Sequence, residues 1–478
     1  MKKVLQKFHN ASPAVKASMA LLFSNMILKG LSLISGPIFT RIMTESEYGI
    51  VSTFLSWQSI LTVIVTLNLS AGVFNNGMLE FKEDRDRFSF SLLVISVILS
   101  VIYGIAFLLF KDHFIKITEL QEELLIVMFF HFLFVPAYGL WGGRQRYEYK
   151  YKALSIITIG IAVLSLIVGI TAVLLCPDDK DSIAKVVVTE GVTICVGVVF
   201  FIILGVKSKF RININYCKYA LKFNLPLIPH YLSMYVLSGS DRIMITKLID
   251  ASMTAIYSVA YTVASVINIV WTSLEASLSP WIYEKLEKHE EEEVKKLTNR
   301  IVLLFGIMCI VCTLFAPEII AILAPKSYYK GVYVIPPVAA GVYFTAIYSL
   351  YMRIELFYKQ TKFAPVATMF AALCNIVLNW IFIPQFGFVA AGYTTMFCYI
   401  ILAICHYLNL RKKNLSGVFD NTVIFVLSVI VVLLSIIISM LYANTELRYG
   451  VILVVLLVCI IKRNVLIENI KKALSKNI

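Results

Sequence analysis

Charge is what this sequence lacks. Asp, Glu, Lys and Arg together make up 15% of its 478 residues, against about a quarter in soluble domains. With 59% hydrophobic residues and a mean hydropathy of +0.83, a soluble enzyme or transcription factor is excluded. Alternation of apolar and polar residues is lacking too, which excludes a membrane β-barrel. The apolar runs are instead continuous over about 20 residues, the length of a spanning helix. Several motifs are missing. No GxxxxGK[ST] loop is present, so P-loop ATP hydrolysis is excluded. His289 is followed by glutamates but by no second histidine at zinc-binding spacing. Cys309 and Cys312 form a CxxC inside an apolar run and read as small buried residues. No metal and no cofactor is expected. Long polar segments are also scarce, and no loop is large enough to hold a folded domain.

What is present is a series of fourteen apolar segments: 18–40, 48–71, 88–110, 122–141, 153–175, 183–206, 219–245, 252–276, 300–323, 331–356, 363–383, 388–409, 420–442 and 447–461. The first is too long for the apolar stretch of a cleaved signal and is expected to act as an uncleaved anchor. With the N-terminus inside and alternating spans, thirty of the 43 Lys and Arg residues fall on the inner side and nine on the outer. This positive-inside bias predicts an even span count with both termini cytoplasmic. The net charge of +14 is mostly this bias, so no nucleic-acid partner is expected. The longest connection, 277–299, predicts a charged surface helix with Glu290–Glu293 on its solvated face.

A weak repeat runs through the chain. A shift of 206 places Arg41 on Lys247, Ile50 on Ile256 and Ser52 on Ser258; a shift of 209 places Tyr149-Lys150 on Tyr358-Lys359. The repeat predicts two six-helix lobes, 1–217 and 218–413, related by a pseudo-two-fold axis along the membrane normal, with two additional helices in 414–478.

Polar residues inside the spans are the candidate site, because charge in hydrocarbon is costly and tends to face a partner or a watery cavity. Lys29, near the middle of span one, is the leading substrate ligand. Arg41, Arg242 and Lys185 are the other candidate anion ligands. Asp241, His230 and Glu190 are candidates for ion coupling. Pro226 and Pro229 are expected to kink or break span seven. Asp241 and Arg242 diverge by about 100° on a helix and cannot pair with each other. Glu275, Arg353 and Glu355, at inner span ends, are expected to snorkel outward.

The stretch Gly36-Pro-Ile-Phe-Thr-Arg-Ile-Met-Thr-Glu-Ser-Glu-Tyr-Gly-Ile resembles the end of the first helix in the polysaccharide transporter family. Pro226-Leu-Ile-Pro-His230 with Asp241-Arg-Ile-Met-Ile resembles its seventh helix, and Gly387-Phe-Val-Ala-Ala-Gly392 its turn into the twelfth. That family includes the Wzx-type O-antigen and capsule flippases and belongs to the MOP superfamily. The resemblance implies a multi-pass protein of the bacterial cytoplasmic membrane that is not an enzyme. It implies twelve core helices around a V-shaped cavity that opens to either side in turn. The implied cargo is an undecaprenyl-diphosphate-linked oligosaccharide, moved with the help of an ion gradient. Membrane lipids, a polysaccharide polymerase and a chain-length protein are the expected partners. A MATE-type exporter of cationic drugs would want a carboxylate-dominated cavity, whereas the deepest charge is Lys29. A membrane glycosyltransferase or polymerase would need a larger outer loop than the one holding Asp178, Asp179 and Asp181. A pure scaffold would not need Lys29.

Overall fold

The computed structural model describes residues 13–70, 72–360 and 362–461. The terminal segments, which carry several of the inner cations counted above, lie outside them. The described residues form helices and no strand. In the first part of the chain these are α1 (Pro13–Ile42), α2 (Glu45–Thr66), α3 (Gly72–Glu80), α4 (Arg85–Leu109), α5 (Lys111–Thr118), α6 (Glu122–Tyr147), α7 (Tyr151–Leu175), α8 (Asp181–Lys207), α9 (Ile214–Asn224) and α10 (Ile228–Leu248). Then follow α11 (Ala251–Glu287), α12 (Glu291–Leu314), α13 (Ala316–Leu323), α14 (Ile335–Phe357), α15 (Phe363–Phe386), α16 (Val389–Lys412), α17 (Asn421–Met440) and α18 (Thr445–Ile461). Eleven of the described helices are long and apolar enough to cross a membrane. α1, α10 and α18 occupy the other three of the fourteen apolar segments. The protein is an all-α polytopic membrane protein.

Local chemistry explains where these elements begin and end. Segment 219–245 is not one helix. It divides into amphipathic α9, a single 3-10 turn at Leu225–Leu227 and α10. Pro226 and Pro229 cause the break, since neither ring can donate a backbone hydrogen bond. Segment 300–323 divides too, at Phe315, and Pro317 opens the short α13. No separate surface helix forms over 277–299, contrary to expectation. α11 and α12 instead run on through the charged sequence and meet at a tight turn, where His289 takes a left-handed φ of 58°. Lys285 closes that turn with Glu290 at 2.5 Å and Glu293 at 2.7 Å.

The chain clusters into two compact units, Met1–Ala255 and Ile256–Ile478. In the first unit α8 packs against α6 and α7, and α4 against α6. In the second, α16 packs against α14 and α15, and α12 against α14. The same pairing scheme thus occurs twice. The register is one residue off that expected from the sequence. Lys150 N donates to Gln145 O at 2.8 Å, and Gln360 N donates to Glu355 O at 2.7 Å, a shift of 210. The left-handed residues are correspondingly Tyr149 and Lys359. The same backbone closure recurs from Phe210 N to Gly205 O at 2.8 Å and from Glu290 N to Lys285 O at 2.9 Å.

Arg448 ties α18 to α13. Its guanidinium is buried and grips Glu318 at 2.5 and 2.7 Å, while also donating to Leu314 O at 3.0 Å. Tyr449 Oη adds a bond to Glu318 at 2.7 Å. The Arg448 bond holds the Glu318 carboxyl down to about 2, from an ordinary value of 4.5, against the opposing effect of partial burial. A lowered carboxylate pKa contributes stability above the unfolded value and loses it as pH falls through the folded one. The clamp is therefore expected to weaken as pH drops from about 4.5 toward 2. Arg448→Ala is expected to lower the unfolding midpoint at pH 7 and to flatten its dependence on pH in that acid window. Thermal unfolding in detergent across pH 3–7 checks both.

Candidate functional site: polar faces within the spans

Exposed faces sort the helices into two kinds. From Phe425 to the end of α17, and from Val366 to Phe382 in α15, every exposed side chain is apolar. Such faces suit lipid. α1 differs, because its exposed residues between 23 and 34 include Asn25, Lys29 and Ser32 among Phe23, Met26 and Ile34. Asn25, Lys29 and Ser32 are spaced i, i+4, i+7 and form one polar stripe. α11 has a comparable face in Thr262, Thr272, Ser273 and Ser277.

Lys29 lies about 20 Å from either end of α1. Its side chain is exposed, and no described residue pairs with it. Arg41, at the C-terminal end of the same helix, is exposed and donates to Pro37 O at 2.8 Å. Lys185 is held differently. Its ammonium sits 3.7 Å from the ring centroid of Phe39 and 5.0 Å from that of Tyr48. This cation–π contact fixes the start of α8 against α1 and α2. Glu47 strengthens the same junction by accepting from Ser182 N at 2.8 Å. Arg242 is half-buried, donates to Ser238 O at 3.1 Å and lies within electrostatic reach of Tyr48. Tyr48 thus adjoins both Lys185 and Arg242, while Lys29 stands apart from them.

The ion-coupling candidates have separate surroundings. Asp241 is fully buried on α10. His230 is half-buried, and its Nδ1 is buried without a partner among the described residues. Glu190 is engaged: its Oε2 lies 2.6 Å from His131 Nδ1, which is 3.0 Å from Gln58 Nε2. One ring nitrogen either donates to the carboxylate or accepts from the amide. His131 and Gln58 were missed in the sequence. A lone histidine in an apolar run is a signal, but only the packing of α2, α6 and α8 shows its partners.

The second unit holds a similar pair with the residues exchanged. His406 Nδ1 lies 2.9 Å from Glu355 Oε2, and Asn409 Nδ2 donates to Glu355 Oε1 at 2.7 Å. Both side chains of the pair are 1% exposed. The expectation that Glu355 snorkels is therefore corrected, because its carboxylate turns inward to two polar partners instead of to the surface. Arg353 and Glu275, expected to snorkel as well, form an ion pair. An apolar cavity of about 580 Å³ lies among α14, α16 and α17, lined by Phe344, Tyr351, Ile404, Tyr407, Phe425 and Leu433. Its chemistry suits a hydrocarbon chain and not a sugar. Among the described residues no cluster of His, Cys, Asp and Glu could hold a metal ion.

The family follows from the sequence match. Residues 14–286 match the model of the family described as polysaccharide biosynthesis protein. The chain belongs to that family. Residues 226–381 also match the MatE family model. The fold resembles that of lipid II flippase MurJ in an inward closed conformation, with a TM-score of 0.68 and 14% identity over 95% of this chain and 100% of that one. It also resembles an inward-facing multidrug resistance MATE transporter, with a TM-score of 0.61 and 12% identity over 84% and 98%. A Vibrio cholerae MATE transporter gives a TM-score of 0.52 at 13% identity over 84% and 98%. No curated protein matches the sequence. The solved structures it resembles in fold are a flippase and drug transporters.

Proposed function

We propose that this protein flips an undecaprenyl-diphosphate-linked oligosaccharide repeat unit from the cytoplasmic to the outer leaflet by alternating access, coupled to an ion gradient. The observation that carries this reading is Lys29, an exposed cation without a partner among the described residues, on a polar stripe in the middle of α1. A diphosphate cannot cross hydrocarbon unaided. A charge-assisted contact to an ammonium offsets part of its desolvation. Arg41, Arg242 and Lys185 are the supporting cations in this reading, with Lys185 acting through Phe39 and Tyr48. The moving parts are the lobes 1–217 and 218–413, with 414–478 appended, and both termini are cytoplasmic. The polyprenyl tail stays in lipid while the polar head crosses. O-antigen and capsule repeat units both fit, and a polymerase and a chain-length protein would act on the product.

Asp241, His230 and Glu190 carry the ion in this reading. Support comes from the close contact of Glu190 with His131 and from the His230 nitrogen, which has no partner among the described residues. The test is flipping of a fluorescent lipid-linked oligosaccharide in proteoliposomes, read by glycosidase access to the outer leaflet. An imposed pH gradient is expected to accelerate flipping by wild type. Asp241→Asn is expected to leave the rate unresponsive to the gradient at equal protein. Unchanged gradient dependence in Asp241→Asn removes this residue from coupling. Absence of flipping alongside export of cationic dyes would replace the reading with a drug exporter.

A further inference from the structure

The connector between α8 and α10 has no role in the transport reading, yet it is firmly built. α8 ends at Lys207 and α10 begins at Ile228, so both ends of the connector are pinned to one face of the membrane. The chain turns back through Lys209 and Phe210, both left-handed, with φ of 54° and 53°. Phe210 folds onto Gly205, where a Cβ would meet the ring at 2.4 Å, and meets Phe90 edge-on at 5.7 Å. Arg87 donates to Ile212 O at 2.9 Å, and Asn213 N donates to Ser91 Oγ at 3.0 Å. One side of α9 faces its own unit. Cys217 and Ala220 are buried, and Tyr216 and Tyr219 pack on Phe81 with centroids 4.5 and 5.2 Å away. Tyr216 Oη donates to Asp84 at 3.0 Å, and Tyr219 engages Glu80. Burial together with Glu80 pushes the Tyr219 hydroxyl up to about 12.

The other side is open. Ile214, Lys218, Lys222 and Leu225 follow at spacings of 4, 4 and 3 and share one exposed face. Ile214 is 64% exposed, Leu225 51% and Ile212 46%. Lys207, Lys209, Arg211, Lys218 and Lys222 are all exposed. The sequence holds no Asp or Glu from 191 to 240. None of the five cations pairs with a described carboxylate, and the nearby Asp84 and Glu80 are engaged by tyrosines on the opposite side. Cations alone would suit any soluble polyanion. Exposed Ile and Leu among them, on a segment that follows directly from the spanning helix α8, select a lipid surface.

We propose that the 207–225 connector binds the anionic phospholipid headgroups of the leaflet from which α8 and α10 emerge. Its cations contact the headgroup phosphates, and Ile212, Ile214 and Leu225 rest at the acyl boundary. The proposal is independent of what the protein transports. The test uses the full chain in uncharged detergent, with phosphatidylglycerol or phosphatidylcholine added and the unfolding midpoint recorded. Phosphatidylglycerol is expected to raise the midpoint by about 3 °C or more through mass action, with phosphatidylcholine giving less than half of that. A variant carrying K207Q, K209Q, R211Q, K218Q and K222Q is expected to lose most of the difference. A control with K116Q, K180Q, K326Q, K330Q and K359Q, all exposed elsewhere, is expected to keep it. Native mass spectrometry of retained phosphatidylglycerol gives a second readout if the first variant is itself less stable. Equal lipid selectivity and retention in both variants would overturn the proposal. So would an equal rise with inorganic phosphate, which would mark a site for soluble anions.

Discussion

Lys29→Ala is expected to abolish surface polysaccharide in a deletion strain while the protein stays at wild-type abundance. Losing a hydrogen bond to a charged group costs about 1.5–3 kcal/mol, roughly ten- to a hundredfold in rate. Lys29→Arg retains the charge and should keep partial export, and Lys29→Glu should export nothing. The alternative role, half of a structural ion pair, predicts a drop in abundance, because an orphaned carboxylate destabilises the fold. The open side chain of Lys29 favours the first outcome, since no described residue pairs with it. Polysaccharide staining and membrane protein level must be measured together. Normal polysaccharide from a stable Lys29→Ala protein would move the anion site to Arg242.

Gly49→Ala is expected to have a comparably large effect by a different route. A Cβ at Gly49 would lie 1.8 Å from the carbonyl oxygen of Ala251, the first residue of α11. Backbone cannot yield as a side chain does, so α2 and the α10–α11 turn must separate. The same contact carries a hydroxyl ladder, with Thr53 and Thr246 at 2.5 Å and Thr246 and Thr254 at 2.7 Å. Overpacking costs about 1–3 kcal/mol in general, and disruption of the ladder adds to it. Gly239→Ala is the matched control. Its added Cβ would meet Ser56 at 3.8 Å, ordinary van der Waals contact. The unfolding midpoint should fall sharply for Gly49→Ala and hardly at all for Gly239→Ala. Equal midpoints in the two variants would show that α2 and α11 do not meet as closely as the structure has them.

Some of the candidate site was legible from residues alone. Lys29 declares itself because an ammonium in the middle of an apolar run has few physical explanations. The break at Pro226 and Pro229 is equally local, a property of the ring. Glu190 was visible as a charge, but its meaning was not. Sequence places it five residues from Lys185, a spacing at which two residues do not share a helix face well. Packing sends Lys185 to Phe39 and Tyr48 and Glu190 to His131, on three other helices. The inward turn of Glu355 was illegible for the same reason, since His406 and Asn409 lie about fifty residues away.

By itself the sequence determined the solvent, the helical class and the number of apolar segments, because each depends on composition and run length within one segment. Transfer of apolar side chains and internal backbone hydrogen bonding require nothing from a distant part of the chain. The exposed face of each span, the partners of each buried charge and the register of the repeat were decided by tertiary structure. Apolar helices offer little periodicity to show which side meets lipid and which meets protein. Only packing separates the apolar exposed faces of α15 and α17 from the polar stripe of α1. That separation leaves Lys29 open while Glu355, equally charged by sequence, is enclosed.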